Sequence, residues 1–270
     1  MFKSSKKKLI ISGCSYTANY AKVQKLAEFP IWGEVLADQL DMELINVSQC
    51  GFGNRAIYTT LVEKMIVEKN VGLVVAMWSE FQRMSWYVDP NSLDNAGRKR
   101  NADSVYNPWQ CFLPERAVLD ADWHDRFYKP PGINPKKKSM EYLLGKMVND
   151  RELNSVRAGT VQSLGYMFAF QNICVNMDIP YLQLQGCMPL MGMNTRGSKK
   201  LARYIIDSPY VDKFKDNFIG WPVVRSLGGY SAEWLLGHND RISPEDSHPN
   251  KNGHKAIGER IYDEYIKIYS

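Results

Sequence analysis

The strongest constraint on this chain is an alternation of short buried-strand patterns with helical patterns in its first 80 residues. Lys8 to Ser12 (KLIIS) is a β-rich run that stops at Gly13. Glu43 to Val47 reads as a second strand, and Val71 to Met77 (VGLVVAM) as a third. Between them, Pro30 to Leu40 places Pro in a first helical turn and spaces Ile31, Trp32, Val35 and Leu36 on one face. Asn54 to Lys69 spaces Ile57, Leu61 and Met65 likewise, with Asn54 as a candidate N-cap. Continuous apolar strands alternating with helices predict a mainly parallel sheet between two helical layers, a three-layer α/β/α sandwich.

The pattern resumes later in the chain. Arg151 to Met177 reads as one long helix, Pro180 to Gln185 as a fourth strand, and Asn252 to Tyr269 as an amphipathic closing helix. Two irregular insertions interrupt it, at about 89–150 and 190–240. The first carries Trp109, Phe112, Trp123, Phe127 and Tyr128, too many aromatics for a disordered linker, and is expected to form a lid or cleft edge. One domain spanning residues 1–270 is expected, long enough to bury a substantial core.

Composition narrows the function classes. With 44% hydrophobic and 23% charged residues, the chain is not a disordered, collagen-like or coiled-coil protein. No apolar run approaches the roughly 20 residues of a membrane span. A net charge of +5 is too small to argue for nucleic acid, and Lys6-Lys7-Lys8, Arg98-Lys99-Arg100, Lys136-Lys137-Lys138 and Lys199-Lys200 read mainly as solvated surface. Five widely spaced cysteines without a C-x-x-C fit reduced thiols in a cytoplasmic protein. The basic N-terminus is followed by too short an apolar run for a signal peptide.

In open α/β sheets, chemistry sits on loops beyond the carboxyl ends of the strands. Three segments are candidates. Ser12-Gly13-Cys14-Ser15-Tyr16-Thr17 follows strand one and exposes a hydroxyl at the sheet rim, where a helix beginning near Ser15 would favour negative charge. Gln49-Cys50-Gly51-Phe52-Gly53-Asn54 follows strand two, with backbone N–H groups open to a ligand. Glu245-Asp246-Ser247-His248-Pro249-Asn250 places acid and imidazole on one short loop, an arrangement that fixes a ring tautomer. Taken singly, each is also an ordinary turn or helix cap.

Together the three resemble the SGNH (GDSL-like) hydrolase family. Gly13-Cys14-Ser15-Tyr16 matches its nucleophile block with Cys14 in the Asp position, Gly51 its second block, and Ser247-His248-Pro249-Asn250 its last. The family's G-x-N-D block after strand three aligns with Met77-Trp78-Ser79-Glu80, so Gly and Asn are absent. The resemblance implies an SGNH/flavodoxin-like fold and a serine esterase or acyl hydrolase that uses no metal or organic cofactor. It implies Ser15 as nucleophile, His248 as base, and Asp246 or Glu245 as the orienting acid. Ser15 and Gly51, with Asn54 or Ser79, would form the oxyanion hole. Arg83 and Trp78 are candidate substrate-binding residues, although for Arg83 an ion pair is the reading preferred over contact with an anionic substrate group. Cys14 is expected to point away from the site.

The implied substrate is a small-molecule or carbohydrate ester, such as an acetylated sugar. The departure after strand three keeps a second reading open: an SGNH-fold binding or assembly module without efficient catalysis. Acyl transfer to an acceptor other than water is a third. The basic N-terminus and altered third block are also similar to SGNH-like proteins of phage genomes, which implies a virus-encoded chain. The oligomeric state is left open.

Overall fold

Leu73, Val75 and Met77 point to one side of the third strand and Val74, Ala76 and Trp78 to the other, and all six are fully buried. A strand apolar on both faces belongs in mid-sheet, covered by helices above and below. The computed structural model describes residues 6–87, 109–114, 140–151, 153, 155–190, 195–214 and 216–270. In it, β1 (Lys8–Ser12), β2 (Glu43–Asn46), β3 (Val71–Trp78), β6 (Tyr181–Gln185) and β7 (Phe218–Ile219) form a parallel sheet ordered β2-β1-β3-β6-β7. Register is set by pairs such as Ile10↔Ile45, Ile10↔Val74 and Val75↔Leu182.

One face of the sheet packs on α3 (Asn54–Val67), α5 (Val156–Asn176) and α6 (Thr195–Ile206), through Ile57, Leu61, Met167, Phe170 and Leu201. The other packs on α2 (Trp32–Leu40) and α7 (Lys251–Tyr269), through Trp32, Leu36, Ile257 and Ile261. Each such side chain contributes roughly 1.5–3 kcal/mol of burial. The architecture is the expected α/β/α sandwich.

Details differ from the expected elements. The long helix begins later, at Val156, because Ser155 caps it: its hydroxyl accepts from Ala158 N at 3.2 Å, while a separate α4 occupies Met140–Asp150. The second insertion is not wholly irregular, since it holds α6 and the two-residue edge strand β7. The first contributes β5 (Trp109–Phe112), which pairs antiparallel with β4 (Met84–Tyr87). The rest of the expected lid, with Trp123, His124, Phe127 and Tyr128, lies outside the described residues. No described helix is long and apolar enough to cross a membrane.

Candidate active site

The carboxyl ends of β1 and β3 and the loop entering α7 meet around a cleft of about 320 Å³. It is bordered by Ser15, His248, Glu80, Arg83, Cys187 and Glu233, among others. Ser15 sits in a turn, not at a helix start: Thr17 N and Ala18 N both donate to Cys14 O at 2.9 Å, and the next helix, α1, covers only Tyr20–Val23. The expected helix-dipole contribution at Ser15 is therefore absent. The turn holds the half-buried Ser15 hydroxyl at the rim.

His248 is delivered by a braced hairpin. Arg241 bridges Pro249, and Ile242 N donates to His248 O at 2.9 Å. Asn250 then caps α7, its side-chain oxygen accepting from Asn252 N and Gly253 N. Across the cleft, His248 Nε2 lies 2.8 Å from Ser15 Oγ, and Nδ1 lies 2.6 Å from Asp246 Oδ1. The same carboxylate oxygen accepts from His248 N at 3.1 Å. Tyr20 donates to the other oxygen at 3.1 Å and stacks on the imidazole, with ring centroids 3.7 Å apart. Burial works against ionisation of Asp246, but hydrogen bonds from the His248 ring and backbone and from Tyr20 prevail, holding its carboxyl below the usual range. Burial and the Asp246 contact push the Tyr20 hydroxyl up, so it remains a donor.

Glu245 is exposed and accepts from Ser243 Oγ at 3.0 Å, turned away from His248. The structure brings Ser15, His248 and Asp246 together and leaves Glu245 outside.

The other predicted residues divide in the same way. Gly51 takes a positive φ of 88°, a conformation that favours glycine. Neither the Ser15 nor the Gly51 backbone N–H donates to an acceptor among the described residues. Asn54 does not cap α3, which begins at Asn54 itself after Gly53. Its amide instead clamps two loops: Oδ1 accepts from Ser79 N at 2.8 Å, and Nδ2 donates to Ser79 O at 3.3 Å and Ser163 Oγ at 2.9 Å. Ser79 is fully buried, and its hydroxyl donates to Glu80 Oε2 at 2.6 Å. Trp78 is fully buried too, its indole N–H donating to Gln183 Oε1 at 3.0 Å. None of Gly51, Asn54, Ser79 and Trp78 borders the cleft.

Arg83 does border it, while its Nη2 pairs with Glu80 at 2.7 and 2.8 Å. Cys14, expected to point away, also borders the cleft, as does Cys187. Sequence reasoning missed Tyr16 and Tyr20. Their place one and five residues beyond Ser15 was the available signal, and Tyr16 donates to Ser247 O at 3.1 Å, tying the first loop to the last. It also missed Glu233, which accepts from Met188 N at 2.7 Å across the cleft and has no local motif. Among the described residues no group of three or more His, Cys, Asp or Glu side chains could hold a metal ion.

A mainly parallel α/β/α sandwich with a Ser–His–Asp contact at the carboxyl end of its sheet is the class of molecule defined here. No family model matches the chain, and no curated protein matches it. Among solved structures it is similar to a psychrotrophic esterase from Pseudoalteromonas sp., with 12% identity, 97% of each chain covered and a TM-score of 0.47. It is similar to a catalytic mutant of Axe2, an acetylxylan esterase from Geobacillus stearothermophilus, with 11% identity, 98% of this chain and 96% of that one covered, and a TM-score of 0.45. A protein described under the lipolytic G-D-S-L family, from Desulfitobacterium hafniense DCB-2, shares 14% identity over 96% of this chain and 99% of that one, with a TM-score of 0.44. At this distance no role passes from those proteins to a residue of this chain.

Proposed function

We propose that this protein is a divergent SGNH-like serine hydrolase that cleaves a small carboxylic ester, such as an O-acetyl group on a carbohydrate. The observation that carries the reading is the continuous contact from Ser15 Oγ through the His248 ring to Asp246, at 2.8 and 2.6 Å. These are hydrogen-bond distances on both sides of one imidazole, as general-base activation of a hydroxyl requires.

In this reading Ser15 Oγ attacks the ester carbonyl carbon while His248 Nε2 takes its proton. Asp246 holds Nδ1–H, selects the tautomer and stabilises the imidazolium. The carbonyl π pair moves onto oxygen, and the Ser15 and Gly51 N–H groups, which donate to no acceptor among the described residues, are the proposed donors to that oxyanion. When the intermediate collapses, the ester C–O bond breaks and His248 returns the proton to the leaving alcohol. Water repeats the sequence on the acyl-Ser15 ester, releasing the carboxylic acid and restoring the hydroxyl.

The second reading, a binding module on the same fold, is favoured by the positions of Asn54 and Ser79, whose polar groups are used within the protein. Hydrolysis of p-nitrophenyl acetate and labelling by a fluorophosphonate separate the two. The hydrolase reading expects turnover and labelling in the wild type, and loss of both in Ser15→Ala and His248→Ala. Equal behaviour of all three proteins would remove the esterase and leave the binding module.

A further inference from the structure

We infer that Arg83 supplies the third oxyanion donor of this site, a catalytic role that replaces the Asn lacking after strand three. The inference rests on the hydrolase reading and goes beyond it in naming a residue for which the sequence offered only an ion pair or substrate contact.

Among the described residues that border the cleft, none carries an amide side chain. Both hydrogens of Asn54 Nδ2 are directed at Ser79 O and Ser163 Oγ, and the Ser79 hydroxyl serves Glu80. Gln185, whose amide joins the same network, donates to Ser79 O and Cys187 O at 2.9 and 3.0 Å. Arg83 differs in two ways. It borders the cleft together with Ser15 and His248. It also has more donors than its partner can absorb: a guanidinium carries five N–H groups, and the Glu80 contacts engage only Nη2. Among the described residues, Nη1 and Nε find no acceptor, and Nε is buried. Nε is enclosed, so Nη1 is the donor left available to a ligand in the cleft.

The guanidinium is also aimed at the right loop. Nη1 lies 3.8 Å from the point where a side chain on Gly51 would begin. A Cβ on Gly53 would meet the Arg83 carbonyl at 2.6 Å, so the second loop packs directly on the Arg83 turn. The Asn54–Ser79 clamp fixes those two loops to each other. Glu80, itself held by Ser79 Oγ, anchors the guanidinium through Nη2 and borders the same cleft. Burial works against the charge on Arg83, and the Glu80 carboxylate outweighs it, raising its pKa above the ordinary range. The cation is thus permanent and oriented before substrate arrives. A charge-assisted N–H···O⁻ bond forms fully only as the carbonyl oxygen gains charge, which makes it a transition-state contact.

The test uses a neutral ester, p-nitrophenyl acetate, because a subsite for an anionic substrate group would not affect its turnover. Arg83→Lys keeps a cation against Glu80 and loses the planar donor edge. The inference expects its kcat to fall about 10²–10³-fold, as for loss of one oxyanion donor, with KM little changed and Ser15 phosphonylation slowed in parallel. Should Arg83→Lys not fold, as judged by its thermal transition, the neutral pair Glu80→Gln with Arg83→Gln must show the same kcat loss. Wild-type kcat in the folded variant, or a loss confined to KM, overturns the inference and leaves the hydrolase standing. Absence of both turnover and Ser15 labelling in the wild type removes the hydrolase reading itself, and this inference with it.

Discussion

Tyr20 lies flat against His248, with ring planes 13° apart and centroids at 3.7 Å. The same side chain donates to Asp246 Oδ2. One residue therefore limits both the tilt of the imidazole and the rotation of the acid that orients it. Tyr20→Phe keeps the stack and removes a hydrogen bond of about 1 kcal/mol. A roughly fivefold fall in kcat/KM is expected, and a larger one for Tyr20→Ala, in steady-state ester hydrolysis. An unchanged rate in Tyr20→Ala would show that the ring needs no such support.

The identity of the acid gives a sharper contrast. Asp246 contacts the imidazole, whereas Glu245 is exposed and turned toward Ser243. Asp246→Asn leaves the shape of the loop but favours the wrong ring tautomer, so kcat should fall by up to about 10⁴. Glu245→Gln should leave it nearly unchanged. Comparable losses in both would mean that the loop rearranges when substrate binds.

The legible part of this site was the part carried by local order. A Ser after strand one, a Gly after strand two and an Asp-x-His loop before the last helix all follow from where the strands end, and strands of four or more apolar residues carry a readable period. Strand β7, at Phe218–Ile219, has only two residues and no period to read. The misassigned residues share a different cause. Asn54, Ser79 and Trp78 stand near strand or helix ends, where a polar or aromatic group can face either the cleft or the core. Tertiary partners 25 to 109 residues away turned all three inward: Ser79 and Asn54 take each other, Ser163 takes Asn54, and Gln183 takes Trp78. Local sequence does not encode that choice. Arg83 was read as an ion pair or a substrate contact, and only the geometry reveals the donors left over after pairing.

His254 provides a test of stability against pH. It is 1% exposed, and Nδ1 accepts from Trp32 N at 3.2 Å across the α2–α7 contact. Burial, with a smaller contribution from His248, lowers its pKa from 6.5 to about 4. The folded state thus favours the neutral ring while the unfolded chain binds a proton below pH 6.5. Stability is complete above that pH and declines as pH falls toward 4, by about 3 kcal/mol in total. Between pH 6.5 and 4.5 this decline precedes that from the carboxylates held low, Glu68 and Asp246. Urea unfolding across this interval should show the loss in wild type and not in His254→Asn, whose side-chain oxygen can replace Nδ1 as acceptor. A parallel loss in the variant would assign the effect elsewhere.

Asn54 should behave as a structural clamp with catalytic consequences only through position. It is 3% exposed, and its amide satisfies Ser79 N and shares Ser79 O with Gln185. Asn54→Ala leaves the Ser79 N–H buried without an acceptor and opens a small cavity between α3 and the end of β3. Together these cost roughly 2–4 kcal/mol, measurable as a lower urea midpoint with unchanged slope. Because the amide does not border the cleft, the folded fraction should still accept a fluorophosphonate at Ser15, more slowly as the Arg83 turn loosens from Gly51. Full stability combined with abolished labelling would reverse this assignment, placing Asn54 among the groups that act on the substrate.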